Sequence, residues 1–406
     1  MSLAEPARAE ARLSLPEFVA LTAMLFSTIA LSIDAMLPAL PEIAAELSPE
    51  APNQAQLVLT SFVLGMGLGT FVAGPLSDAF GRRAVILGAS ALYCLASAWA
   101  AAADSLGMLL LARVVQGIGA SGPRIVSMAL MRDLYSGRMM ARIMSFAMMI
   151  FTLVPAIAPF LGATIMLFAG WRAIFWSFVG FALLSSGWLL LRQPETLAPE
   201  RRRPLRWAEL ASGAAEVVRH PTVRGAIVVQ GLLFGALFDT LSSIQPVFDL
   251  TFGRGASFPA WFALIAVLGG SASLLNALVV VRIGMRRMVT TMLGAQIVAS
   301  GVMIAACLTL SPDALFLVFV GWVTSVFFMA GVTLGNINAM AMEPMGHVAG
   351  MAASVISAAA TVAGVAIAAP IGLAFDGTAL PLVVSVLVIA ALALVATLRM
   401  TGARTG

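Results

Sequence analysis

Apolar stretches of ~20 residues, the length a helix needs to cross a bilayer, recur along nearly the whole chain with only short polar turns between them. That pattern decides the class. Of 406 residues, 61% are hydrophobic and 10% charged, against about 25% charged in a soluble domain. Too little polar surface exists to cover a globule in water, so the chain reads as an all-α integral membrane protein.

Composition also removes several functions. The formal charge of +4 comes from arginines alone, with no lysine, and does not point to nucleic acid. Cys94 and Cys307 fall far apart inside apolar segments, so no disulfide or metal framework is implied. His220 and His347, the only histidines, lie in loops, which argues against a histidine-based metal or catalytic centre. No phosphate-binding glycine loop of the Walker type occurs, and no cofactor is expected. Met1–Leu15 lacks the short apolar core and cleavage site of a signal peptide, and the first apolar stretch is expected to stay as a span.

Hydropathy places spans near 16–38, 54–76, 84–103, 106–130, 142–164 and 172–192, then near 222–245, 258–281, 288–310, 313–338, 349–373 and 379–399. The one long polar interruption, 193–221, carries Arg201, Arg202, Arg203, Arg206 and Arg219. Twelve transmembrane helices are therefore expected, as six-helix halves at 1–192 and 222–406 joined by a cytoplasmic linker. Arginines set the orientation. With the N-terminus inside, nineteen arginines, Arg8, Arg12 and Arg404 among them, fall on the inner side, and Arg172 and Arg254 fall outside. Both termini are predicted to be cytoplasmic.

The second span of each half ends in related sequence. Gly81-Arg82-Arg83 has a degraded partner in Gly284-Met285-Arg286-Arg287, the glycines being 203 residues apart. The second copy carries Val281 where the first carries Asp78. Parallel six-span repeats with a site between them near the membrane midplane describe one common transporter architecture.

The run Gly74-Pro75-Leu76-Ser77-Asp78-Ala79-Phe80-Gly81-Arg82-Arg83 resembles the loop 2–3 signature of the major facilitator superfamily at every defined position. Three further segments resemble its Bcr/CflA branch of drug:proton antiporters: Ile33–Pro41, Arg113–Ala120 with Met131–Tyr135, and Pro155–Gly162. The resemblance implies the major facilitator fold. It also implies a conformational latch at Gly74, Asp78, Gly81, Arg82 and Arg83, and a helix hinge at Pro155, Pro159 and Gly162. Physical reasons stand beside it. The tight loop needs backbone freedom at Gly81, and Asp78 can accept from helix N-terminal amides or pair with arginine. Pro155 and Pro159 each remove a helix hydrogen bond; as ordinary membrane-helix prolines they would do the same without a hinge.

Four ionisable residues fall within spans, where each costs at least ~2.5–3.5 kcal/mol and marks a functional hypothesis: Asp34, Arg113, Arg124 and Asp239. Asp34 and Arg113 lie at depths that agree within roughly a helical turn, so a pair is expected, and the resemblance places the branch's motif Asp and Arg there. Proton coupling is assigned to Asp34, Arg113 and Asp239. Asp239 occupies nearly the position in span 7 that Asp34 has in span 1; it faces the cavity as a proton or cation site, or the outer rim and water. Arg124 follows Arg113 by eleven residues, on nearly the same helix face. Asp34, Arg113, Gln116, Arg124, Asp239, Asn276 and Asn338 are the expected substrate contacts, and at most one of Asn336 and Asn338 can point straight into a cavity.

The function that follows is a secondary active exporter of a drug-like small molecule in the bacterial inner membrane, exchanging it for protons by alternating access. It is not an enzyme, and its partners are the substrate, protons and lipid, with the protein as a monomer and no nucleic acid. Stacked Arg113 and Arg124 keep a second cargo class open, an acidic or zwitterionic metabolite such as an amino acid or organic anion.

Overall fold

The apolar runs become helices, and a computed structural model describes them over residues 13–400. Arg8, Arg12 and Arg404 lie outside the described residues. Helix α1 (Leu15–Asp34) leads through a 3-10 turn and the short α2 (Leu40–Leu47) to α3 (Leu57–Phe80). Then come α4 (Arg82–Ala101), α5 (Leu106–Leu134) and α6 (Gly137–Arg192). Past the polar interruption lie α7 (Trp207–Arg219), α8 (Pro221–Pro246), α9 (Phe258–Ile283), α10 (Met285–Thr309), α11 (Pro312–Met342), α12 (Ala349–Leu373) and α13 (Leu380–Arg399).

Among the described residues, ten helical runs are long and apolar enough to cross a bilayer. Two of them, Gly137–Arg192 and Pro312–Leu373, contain 56 and 62 residues. A straight 56-residue helix would be ~84 Å long against a hydrocarbon core of ~30 Å. Each long run is broken once. Gly170 leaves helical geometry at φ 70° and ψ 177°, and the 3-10 segment Glu343–Val348 separates α11 from α12. The backbone stays helical through Pro155 and Pro159, so the interruption of α6 lies beyond both prolines. Large apolar side chains face outward, with Phe168 86% and Val281 89% exposed, as lipid contact requires and water does not tolerate. The chain is a multi-pass membrane protein.

The Gly74–Arg83 segment differs from its expected form. It is not a loop of ten residues. Helix α3 runs to Phe80, α4 starts at Arg82, and Gly81 alone lies between them with φ 101° and ψ 154°. A positive φ is cheap only for glycine, so one residue makes the whole turn. Gly284 repeats the geometry between α9 and α10, at φ 87° and ψ 147°. The amides of Gly81 and Gly284 bond back to Ser77 and Val280, the same step along each helix.

Small residues let the two groups of helices approach, as in many membrane interfaces. Where α3 meets α12, a Cβ added to Gly67 would stand 3.1 Å from Thr361; where α6 meets α9, one added to Gly270 would stand 3.0 Å from Thr152. The polar interruption is partly ordered as α7, which buries Val217 and packs Gly213 against Met351 at the start of α12.

Candidate functional site

Arg113 is the most extensively bonded of the charges inside the helical bundle. Its guanidinium is fully buried and lies 4.4 Å from the centre of the Phe62 ring. Nε donates to the Val58 carbonyl at 3.0 Å, Nη1 to Gln116 Oε1 at 2.6 Å and Nη2 to the Ser32 carbonyl at 3.0 Å. Gln116 in turn donates to Ser97 Oγ at 2.6 Å, and Ser32 Oγ meets the Tyr93 hydroxyl at 2.6 Å. Five side chains thus pin α1, α3, α4 and α5 together. The Ser32 carbonyl belongs to the last turn of α1, the negative end of that helix, and is a natural partner for a cation.

The expected Asp34–Arg113 ion pair is not formed. Ser32 and Asp34 are two residues apart, about 200° around the helix, so the face that offers Ser32 to Arg113 turns Asp34 away. Asp34 ends α1, is 5% exposed, and makes no hydrogen bond or ion pair among the described residues. Beside it, Gly162 touches the backbone of the same turn: a Cβ there would sit 2.0 Å from the Ala35 carbonyl oxygen.

Asp239 is fully buried, which removes the water-facing reading. Ser385 Oγ on α13 donates to its Oδ2 at 2.6 Å, and Ser243 Oγ lies 3.4 Å from its Oδ1. Ser243 Oγ also donates to Gln56 Oε1 at 3.2 Å, a bond between the first and second groups of helices. Asn53 makes a second such contact at the same end, donating to the carbonyls of Leu373 (3.2 Å) and Phe375 (2.6 Å).

The other expected contacts are dispersed. Arg124 is half-buried and makes no hydrogen bond or ion pair among the described residues; the next residue, Ile125, lines the cavity described below. Asn276 accepts from Asn336 Nδ2 at 2.7 Å, tying α9 to α11. Asn338 lies exposed, away from that pair. So Asn336, not Asn338, is the asparagine that joins Asn276.

At the arginine-rich end, the motif is held by a network the sequence showed only in part. Arg82 Nη1 donates to Asp78 Oδ1 at 2.5 Å and to Ser77 Oγ at 2.7 Å, and Nε donates to Asp133 Oδ2 at 3.1 Å. Asp78 therefore pairs with arginine, and its side chain accepts from no helix N-terminus. Glu195 takes that role: Oε1 accepts from the Arg82 amide at 2.9 Å and Oε2 from the Arg83 amide at 3.0 Å, capping α4. Thr196 Oγ1 donates to Asp133 at 3.0 Å, and the Arg203 amide to the Asp78 carbonyl at 3.0 Å. The ion pairs stay within the first group of helices, while Gly74 faces Ser354 of α12 across the divide. A cavity of about 410 Å³ opens here, with Asp78, Arg82, Arg132, Arg203, Arg206 and His347 among its lining.

Sequence reasoning missed Ser32, Tyr93, Gln56, Ser243, Ser385 and Glu195. Tyr93 was findable, being one of two tyrosines and inside an apolar span. Glu195 carried a weaker signal, an acid in a Pro-Glu-Thr run just after a span. The serines are indistinguishable from the many others.

Residues 21–370 match the family model described as Major Facilitator Superfamily. The chain is 31% identical over 328 residues to the "Bicyclomycin resistance protein homolog" of Haemophilus influenzae, covering 80% of this chain and 81% of that one. It is 30% identical over 339 residues to the "Chloramphenicol resistance protein" of Pseudomonas aeruginosa, covering 76% and 80%. Among solved structures it is similar to a D-xylose-proton symporter, at TM-score 0.72 and 16% identity over 95% of this chain and 96% of that one.

Proposed function

The chain belongs to the Major Facilitator Superfamily, and from that premise we propose that it exports a drug-like small molecule across the bacterial inner membrane in exchange for protons, by alternating access. Relatives named for bicyclomycin and chloramphenicol resistance support this cargo class. Division of the two double-length runs at Gly170 and at Glu343–Val348 raises ten runs to twelve passes. The even number keeps both termini on the arginine-rich side, which is then cytoplasmic. The protein works as a monomer of two six-helix halves, 1–192 and 222–406, linked by 193–221.

One observation carries the exchange mechanism: Asp34 is a buried carboxyl with no partner among the described residues. A bare negative charge there costs several kcal/mol, and it can be removed by a proton or by a donor on the cargo. One site that takes either, but not both, makes the two movements opposed. A proton arriving from outside displaces cargo, and loss of that proton on the inside restores the loading state. Arg113 serves this site by fixing the end of α1 through Ser32. The 410 Å³ cytoplasmic cavity is the entry for cargo, and the contacts of Asn53 close the outer end.

The test is a reconstituted protein under an imposed pH gradient, screened with bicyclomycin, chloramphenicol and a chemically mixed panel for substrate-dependent proton flux. Asp34→Asn is expected to insert normally and to lose that flux. Retained coupling in the variant would overturn the assignment.

A second cargo class has its own support. The entry cavity sets Arg132, Arg203 and Arg206 beside the Arg82–Asp78 pair, with Arg124 one residue from its wall. Positive clefts concentrate anions. If Arg124→Gln abolishes transport of acidic metabolites while no drug moves in the wild type, the exporter is dedicated to an anionic or zwitterionic metabolite.

A further inference from the structure

Between the two halves, at the outer end, one serine hydroxyl stands within reach of two acceptors. Ser243 Oγ lies 3.4 Å from Asp239 Oδ1 and 3.2 Å from Gln56 Oε1. A hydroxyl has a single proton to give, so it cannot satisfy both. Gln56 is 3% exposed and its Nε2 has no partner, so its amide relies on Ser243. The amide is also held from behind: a Cβ on Gly372 of α12 would stand 2.5 Å from Gln56 Oε1. Ser385 donates to the far oxygen of Asp239 and leaves Oδ1 to Ser243.

No other charge competes for this carboxyl. Helix α12 has no ionisable residue. Those of the other packed elements sit near their ends: Asp313 on α11, Arg399 on α13, Asp78 on α3, Glu42 and Glu46 on α2; α7, with Glu209, Glu216 and Arg219, leads into the first turn of α8, far along the helix from Asp239. On α8 itself the only other charge is Arg224 in the first turn, and Asp249 follows the helix. None of them makes a hydrogen bond or ion pair to Asp239 among the described residues.

We propose that Asp239, Ser243 and Gln56 form a proton-operated outer gate, closed when Asp239 is protonated and released when it is ionised. This rests on the exporter reading above and adds to it a second proton site with a different task. In the protonated form, the Asp239 O–H donates to Ser243 Oγ, and Ser243 donates to Gln56 Oε1, so every hydrogen points across the interface. In the ionised form, the Ser243 hydroxyl turns to the carboxylate. Gln56 then has neither donor nor acceptor met, and a buried unmet amide favours any state that hydrates it. The direction suits exchange. A proton taken from outside closes the outer end and sends the carrier inward.

The test needs no substrate. Cys94→Ser and Cys307→Ser remove the native thiols, and Ala45→Cys with Ala374→Cys places spin labels on exposed positions at the outer ends of the two halves. Asp34→Asn is included to remove the other buried carboxyl, and the Asp239 and Ser243 variants below separate the gate from the remaining titrating groups. Distances in lipid nanodiscs, read by double electron–electron resonance, are expected to shorten in acid and lengthen in alkali. The expected change in the open-to-closed ratio is about tenfold, equivalent to ~1.4 kcal/mol. Adding Asp239→Asn should hold the short distance at both extremes, since its amide donates permanently. Adding Ser243→Ala, which removes only a hydroxyl, should abolish the response with Asp239 intact. A parent without a pH response overturns the gate, as does a response that survives either substitution. None of these outcomes depends on transport, so loss of the exporter reading would show separately in the Asp34→Asn flux assay.

Discussion

Glu195 is the residue whose removal tests most directly how the start of α4 is held. Its two carboxylate oxygens take the first two amides of α4, at 2.9 and 3.0 Å, and these are among the four donors that any helix N-terminus leaves unmet. Substituting alanine removes a cap worth ~1 kcal/mol and a carboxylate at the positive end of the helix worth ~0.3–1 kcal/mol. Glu195 is half-buried, so water replaces part of the loss. About 1.5 kcal/mol remains, or roughly a tenfold rise in local opening at the start of α4. Hydrogen exchange read by mass spectrometry over the α3–α4 junction measures this directly in nanodiscs. Glu195→Gln keeps one oxygen for the Arg82 amide but turns an NH₂ group toward the Arg83 amide, so about half the effect is expected. Exchange in Glu195→Ala within twofold of wild type would refute the cap, and equal effects of the two substitutions would refute the role of the paired oxygens.

Gly162→Ala places a Cβ 2.0 Å from the Ala35 carbonyl and should lower the melting temperature by an overpacking cost of about 1–3 kcal/mol, whereas Gly107→Ala, with nothing within 4 Å, should not. Tyr93→Phe removes the one hydrogen bond of that hydroxyl, to Ser32, while Ser32 keeps its bond to the Thr28 carbonyl; thermal unfolding should report a loss of only ~1 kcal/mol. Gly81→Ala and Gly284→Ala share the strain of a positive φ with extended ψ, ~1–3 kcal/mol, but only the first also drives a Cβ to 2.5 Å from Glu195. The first variant should therefore be the less stable of the two in the same melt.

What sequence could and could not reveal follows from the range of each interaction. Spans are written in local composition, and so the membrane class and the order of the apolar helices were legible from hydropathy. The motif was also legible, but its form was not. Gly74–Phe80 has the composition of a turn, yet Pro75 sits within α3 and only Gly81 leaves the helix. The Asp34–Arg113 pair failed for a reason that depth along the membrane does not contain. Two residues at one depth meet only if their helix faces also turn together, and Arg113 had carbonyl partners at Ser32 and Val58 that no sequence pattern records. Asp239 was singled out for its charge within a span and for a position that mirrors Asp34. Its partner Ser385 lies 146 residues further along the chain, and Gln56, reached only through Ser243, comes from the opposite half.

The two glycine joints share one backbone geometry but not one charge network. Arg83 and Arg286 occupy equivalent positions, two residues after Gly81 and Gly284. Each reaches the end of the last helix in its own group: Arg83 donates to the Leu190 carbonyl near the end of α6, and Arg286 to the Thr397 and Leu398 carbonyls at the end of α13. A cation at a helix C-terminus is favourable by ordinary dipole and carbonyl bonding. That duty is common to both copies. The positions that differ include Asp78 and Arg82, which become Val281 and Met285, and with them go the ion pairs of Arg82 to Asp78 and Asp133. Val281 is 89% exposed, as a lipid-facing residue would be. The repeat therefore conserves the geometry that turns one helix into the next and ties it to its own half. The first copy adds a charge network that joins α3, α4 and α5 to the segment 195–203, a tie that Val281 and Met285 cannot supply at the matching positions of the second.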